Sequence, residues 1–243
     1  MTYDLTVRLA AEFIGTAIMV ALGNGSVANV DLKGTKGNGS DWMLIAVGYG
    51  AGVMIPAMII GGISGNHINP AFTIGLAMSG MFPWAEVLPY LLAQFAGAIF
   101  GQAMVVAAYK PHYDLTTEPQ HILGTFSTIS ATKSKTNGFI NEFIGSFILF
   151  FAALGITKAP FFQNNLGTAH MALGFLVGTL VASFGGPSGP ALNPARDLGP
   201  RLLHQLLPLK HKGSSDWGYA WVPVLAPILA GILAIALYKN VFM

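Results

Sequence analysis

Ser64-Gly65-Asn66-His67-Ile68-Asn69-Pro70-Ala71 and Ser188-Gly189-Pro190-Ala191-Leu192-Asn193-Pro194-Ala195-Arg196-Asp197 are two versions of one stretch. In each, a Ser-Gly turn signal leads into Asn-Pro-Ala, followed by an apolar run too short to cross a membrane. Asn is a favoured N-cap because its side-chain oxygen accepts from an unpaired N–H of the first turn. Pro suits the next position, where its missing N–H would have no intrahelical partner. Each stretch therefore reads as an irregular loop that opens a short helix. A single Asn-Pro-Ala would fit any helix start. Two of them, each placed after a long apolar span, mark a duplicated device.

Working outward, six segments are apolar over the roughly 20 residues that a bilayer span requires: residues 6–29, 42–63, 84–109, 139–157, 166–186 and 217–238. The runs 70–81 and 194–207 fall between the second and third spans and between the fifth and sixth. They are half that length, and such segments persist in a membrane only where they face protein or a wet cavity. Ala11-Glu12-Phe13-Ile14-Gly15-Thr16 in the first span matches Asn141-Glu142-Phe143-Ile144-Gly145-Ser146 in the fourth. The pattern predicts an all-α membrane protein with six transmembrane helices and two half-helices in an inverted repeat. Three spans per repeat is an odd number, so the second copy enters the membrane with opposite orientation, which puts the shared site near the midplane. The chain reads as a single channel domain, 1–243, with repeats 1–110 and 137–243. The mostly polar link 111–136 closes on the turn signal Asn137-Gly138.

Composition agrees with a membrane protein. Hydrophobic residues make up 53% and charged ones 9%, with a mean hydropathy of +0.60, whereas a soluble domain carries about a quarter charged residues. Cysteine is absent, which excludes disulfides and thiolate metal sites, and no cofactor motif is present. A net charge of +2 gives no reason to expect nucleic acid as a partner. The first eight residues lead into an apolar run containing Glu12, so no cleavable leader is expected. With the N-terminus inside, only Arg8, Lys158 and Lys239 are cytoplasmic, while Lys33, Lys36, Lys110, Lys133, Lys135, Lys210 and Lys212 lie outside. The positive-inside rule favours the reverse orientation.

Inverted half-helices can meet N-terminus to N-terminus, each end carrying about half a positive charge. Two such ends at the centre of a pore oppose cations, including a hopping proton. Asn69 and Asn193 can accept with the carbonyl oxygen as caps while the NH₂ faces the lumen as a donor. The backbone at Gly65, Asn66, His67 and Ile68, and at Pro190, Ala191 and Leu192, would line the same path with carbonyls. Donors at the centre of a lane of acceptors suit a small neutral hydroxylated molecule. Arg196, one turn beyond Asn193, needs a wet cavity or a partner at that depth, and its fork of donors matches vicinal hydroxyls. The plain structural alternative pairs Arg196 with Asp197 or a loop carbonyl. Glu12 and Glu142 read as scaffold carboxylates that accept from loop N–H groups, with a proton relay as the alternative. His67 is a lumen donor or a brace, and His170 a helix-end residue.

With these residues assembled, the chain resembles the major intrinsic protein family of aquaporins and glycerol facilitators. Both Asn-Pro-Ala boxes, both Glu-Phe-Ile-Gly starts and the three-plus-three layout match across essentially the whole chain. Asn193-Pro194-Ala195-Arg196-Asp197 resembles the aquaglyceroporin branch, including the glycerol facilitators of lactic-acid bacteria. The resemblance implies a homotetramer with one pore per subunit, cytoplasmic termini in the cell membrane of a bacterium, and passive bidirectional transport without a cofactor or metal. It also implies a filter near the outer mouth, whose positions fall on Tyr49, Val181, Pro190 and Arg196. Glycerol facilitators place Trp and Phe in that filter, and water channels place Phe and His. Val181 and Pro190 fit neither pattern, which leads to the expectation of a permissive pore for glycerol, water, dihydroxyacetone, urea, hydrogen peroxide or protonated lactic acid. A water-selective pore is the alternative, and a secondary transporter coupled through Glu12 or Glu142 is a further one. Ala46-Val47-Gly48-Tyr49-Gly50 resembles a potassium filter but lies inside an apolar span, with Gly48 and Gly52 spaced for close helix packing. An enzyme built on His67, Asp197 and Ser188 is the weakest reading.

Overall fold

Long apolar runs without water to satisfy their backbone must fold as helices, and helices account for the regular structure of the described residues, 3–243. In this computed structural model the elements are α1 (Leu5–Asp31), α2 (Trp42–Ser64), α3 (Pro70–Met78), α4 (Trp84–Leu115), α5 (Pro119–Gly124), α6 (Lys135–Lys158), α7 (Pro160–Gln163), α8 (Leu166–Ser188), α9 (Pro194–Leu206) and α10 (Val222–Phe242). Six of them, α1, α2, α4, α6, α8 and α10, are long and apolar enough to cross a membrane. The protein is a multi-pass membrane protein. The short helices α3 and α9 follow the second and fifth spans, where the Asn-Pro-Ala boxes place them.

Packing repeats between the halves. The first span of each half, α1 or α6, packs on the other two spans of its own half. Each half-helix crosses over: α3 packs on α10, α9 packs on α4, and α2 meets α8 along the middle. Small residues let these axes approach. A Cβ added to Gly97 or Gly101 on α4 would strike the backbone of Phe13 or Ala17 on α1, and one on Gly50 of α2 would lie 2.8 Å from the Gly174 carbonyl of α8. Gly48 faces Ser26, and Gly52 faces the Met19 carbonyl. The segment resembling a potassium filter is thus ordinary helix, and its glycines serve close packing as expected.

Three expectations need correction. Asn137 and Gly138 do not form a turn; they lie inside α6, because Ser134 caps that helix by accepting from the Asn137 N–H at 3.2 Å. Residues 217–221 form turns ahead of α10, so the sixth span starts later than hydropathy suggests. The link 111–136 is also more than a connector. It continues α4 to Leu115, forms α5, and then packs back on the end of α8, where Ile129 and Ala131 donate backbone hydrogen bonds to Ser188 and Pro187.

Candidate functional site

The two Asn-Pro-Ala loops begin alike. Helices α2 and α8 stop at Gly65 (φ 89°) and Gly189 (φ 64°), both in the left-handed region that favours glycine. Three residues on, Ile68 (φ 40°) and Leu192 (φ 52°) are also left-handed, which is costly for side chains with a Cβ and most of all for a β-branched one. The duplicated Glu-Phe-Ile-Gly motif answers both costs. Buried Glu12 accepts from the N–H groups of His67 (2.9 Å) and Ile68 (2.6 Å), as well as from Ser64 Oγ and Gln94 Nε2. Buried Glu142 accepts from the N–H groups of Ala191 (2.7 Å) and Leu192 (2.9 Å). One turn along, Gly15 leaves room for the Ile68 side chain and Gly145 for that of Leu192. Glu12 and Glu142 are thus both engaged by the N–H groups of the loops.

Asn69 caps α3 by accepting from Ala71 N–H at 3.0 Å, and Asn193 caps α9 by accepting from Ala195 at 3.0 Å and Arg196 at 3.3 Å. Their amide groups are not simply free in a lumen. Asn69 Nδ2 donates to the Leu192 carbonyl and Asn193 Nδ2 to the Ile68 carbonyl, each at 2.8 Å. The two half-helices thus meet at their N-termini, each cap tied to the carbonyl of the left-handed residue in the other loop. The Ile68 and Leu192 carbonyls keep one lone pair each; Asn69 keeps a second amide hydrogen, whereas that of Asn193 meets the weakly accepting Met19 sulfur at 3.7 Å. At the far ends, lysines meet the unpaired carbonyls. Lys239 donates to the Ser79 carbonyl, and Lys212 to those of His204, Gln205 and Leu207. Cations there match the negative ends of the helix dipoles.

Two cavities flank this junction. One, about 710 Å³, is lined by the 119–135 segment, Asp216 and the start of α2. The other, about 450 Å³, runs past both Asn-Pro-Ala loops to Lys158 and His170. Their linings share four residues: Tyr49, Val181, Pro190 and Arg196. The two cavities therefore adjoin where one aromatic, two apolar side chains and one guanidinium meet. Gly65, Asn66, His67, Ile68, Ala191 and Leu192 all line the second cavity.

Arg196 does not pair with Asp197. Its guanidinium donates through Nη1 to the Phe126 carbonyl at 3.2 Å and through Nη2 to the Tyr49 hydroxyl, while Nε is buried without a partner. Asp197 pairs instead with Arg201, Nε to Oδ1 at 2.8 Å, both fully buried. It also accepts from the Thr128 N–H and hydroxyl. The pair holds the returning link so that the Phe126 carbonyl reaches Arg196. His67 Nδ1 lies 3.1 Å from Thr73 Oγ1, whose hydrogen goes to the Asn69 carbonyl, so Nδ1 donates there and ties the loop to α3. His170 sits in the early turns of α8, beside Gly61. Ser188 Oγ accepts from Asn141, so Ser188, His67 and Asp197 belong to three separate networks. Sequence reasoning missed Phe126, whose carbonyl takes the Arg196 guanidinium, and buried Asn24, which donates to that carbonyl and to Gln102, because tertiary partners set these contacts and no local motif marks them.

Residues 2–238 match the family model described as Major intrinsic protein. The chain belongs to the major intrinsic protein family. Within that family it is 53% identical to "Glycerol uptake facilitator protein-like 5" of Lactiplantibacillus plantarum, over 100% of this chain and 99% of that protein. It is 47% identical to "Glycerol facilitator-aquaporin gla" of Lactococcus lactis subsp. cremoris, with both chains covered completely. Among solved structures, the aquaglyceroporin from Plasmodium falciparum superposes with a TM-score of 0.83 at 30% identity, covering 98% of this chain and 97% of that one. The fold of this family member is therefore shared over its whole length.

Proposed function

We propose that this chain is a passive channel for glycerol and other small uncharged solutes, and for water, with Tyr49, Val181, Pro190 and Arg196 as its selectivity filter. One observation carries the reading: these four residues, the Arg196 guanidinium among them, are the ones common to the two cavities. A polyol passing there meets a donor for its hydroxyl oxygens on one side and apolar surface for its carbons on the other. Beyond the filter, the free lone pairs of the loop carbonyls accept its hydroxyl hydrogens, and the two Asn caps donate at the centre. The positive N-termini of α3 and α9 oppose cations at that centre. The names of the relatives, glycerol facilitators from lactic-acid bacteria, support glycerol as the solute.

The same reading places the protein as a homotetramer in the cell membrane of a bacterium, with both termini cytoplasmic and inverted repeats 1–110 and 137–243. Neither Phe nor His occupies Val181 or Pro190, so the filter is permissive and admits solutes such as dihydroxyacetone, urea, hydrogen peroxide or protonated lactic acid. A proton-coupled transporter is disfavoured because Glu12 and Glu142 are both committed to loop N–H groups. The test is labelled-glycerol entry into cells expressing the chain, with and without a protonophore. Entry that rises linearly with glycerol and ignores the protonophore is expected. Saturating entry that collapses with the proton gradient contradicts the channel.

A further inference from the structure

Tyr49 owes its position to residues that touch neither cavity. Its ring packs directly against Gly23 of α1, since a Cβ built on Gly23 would overlap the ring atoms. Its hydroxyl donates to Oδ1 of fully buried Asn24 while accepting from Arg196 Nη2. Asn24 Nδ2 in turn donates to Gln102 Oε1 at 2.6 Å and to the Phe126 carbonyl at 3.2 Å, the same carbonyl that Arg196 Nη1 uses. Arg196, Tyr49, Asn24 and Phe126 thus close a ring of hydrogen bonds behind the constriction. The Arg196 guanidinium also stands 5.0 Å from the centre of the Tyr49 ring. Every member of the ring except Asn24 is either backbone or part of the constriction itself.

We propose that Gly23 and Asn24 are specificity-determining positioning residues: they draw the Tyr49 ring back into α1 and so set the width of the pore at the filter. The proposal rests on the reading of Tyr49 and Arg196 as the filter. Gly23 supplies the recess and Asn24 the tether. With a methyl in the recess, the ring has to move toward the lumen, because the α1 backbone behind it cannot yield. Without the tether, the buried hydroxyl loses its acceptor, and the ring turns toward the water and solute in the path. Both changes narrow the same point.

The test uses proteoliposomes and reads the permeability to erythritol, a bulkier polyol, divided by that to water. That ratio belongs to each conducting pore and is unaffected by how many channels fold. Gly23→Ala and Asn24→Ala are each expected to lower it about threefold or more, the scale of one hydrogen bond's difference between two barriers. Tyr49→Ala is expected to raise it. In the Tyr49→Ala background neither substitution at Gly23 or Asn24 has anything left to move, so the ratio stays at the single-variant value. A Tyr49→Ala ratio equal to that of the unaltered protein overturns the filter reading. A raised Tyr49→Ala ratio overturns the present inference if Gly23→Ala and Asn24→Ala leave the ratio alone, or if they lower it equally in both backgrounds.

Discussion

Ile68 and Leu192 hold left-handed backbone at a cost of order 1–3 kcal/mol each, and they persist because a carboxylate takes the N–H of each and an Asn amide the C=O. Replacing Glu142 by Gln turns an NH₂ toward a loop N–H and removes a charge-assisted acceptor. We predict that Glu142→Gln lowers stability in detergent by about 1.5–3 kcal/mol, read as a lower melting temperature, and reduces water and glycerol flux together. An unchanged melting temperature would mean that the carboxylate is not holding the loop. Where the two cavities adjoin, Arg196→Ala removes the only charged donor from the four shared residues, and a loosened selectivity that admits small cations is expected in planar-bilayer recordings. Unaltered cation exclusion would confine Arg196 to bracing Phe126 and Tyr49. Pro190→Phe adds aromatic bulk at the same point and should raise the glycerol-to-erythritol permeability ratio by roughly tenfold, the lower range of steric discrimination in a pocket. A ratio that does not move would place the filter elsewhere.

At the scale of elements, the spans were legible because hydropathy alone fixes a helix in lipid, and α3 and α9 because Asn-Pro both caps and starts a helix. Element ends were less legible. Asn137-Gly138 carries a turn signal, yet Ser134 had already started α6 three residues earlier. The return of the link to the site was not legible at all. Phe126 and Thr128 have no periodicity to betray them, and their positions follow from Arg196, Asp197 and Arg201, which lie far along the chain. The helix crossings make a prediction of their own. Gly101→Val would drive a side chain into the Ala17 backbone of α1, an overpacking cost of about 1–3 kcal/mol. Thermal unfolding in detergent is expected at a lower temperature; an unaltered midpoint would mean that α1 and α4 can separate without penalty.

For the whole molecule, the two halves share one division of labour. Each supplies a scaffold carboxylate, a loop, a cap and a half-helix, and the caps join the loops into one unit at the centre. The second half departs from the first at the loop and box: the second box adds Arg196, and its loop has Pro190 and Ala191 where the first has Asn66 and His67. Duplication thus accounts for the path, and the departures from it for what the path admits. A glycerol-conducting pore is tested most directly by stopped-flow light scattering on proteoliposomes. Under a glycerol gradient, fast shrinkage as water leaves is expected, followed by fast reswelling as glycerol enters. Fast shrinkage without reswelling above that of empty vesicles would contradict it and leave a water-selective channel.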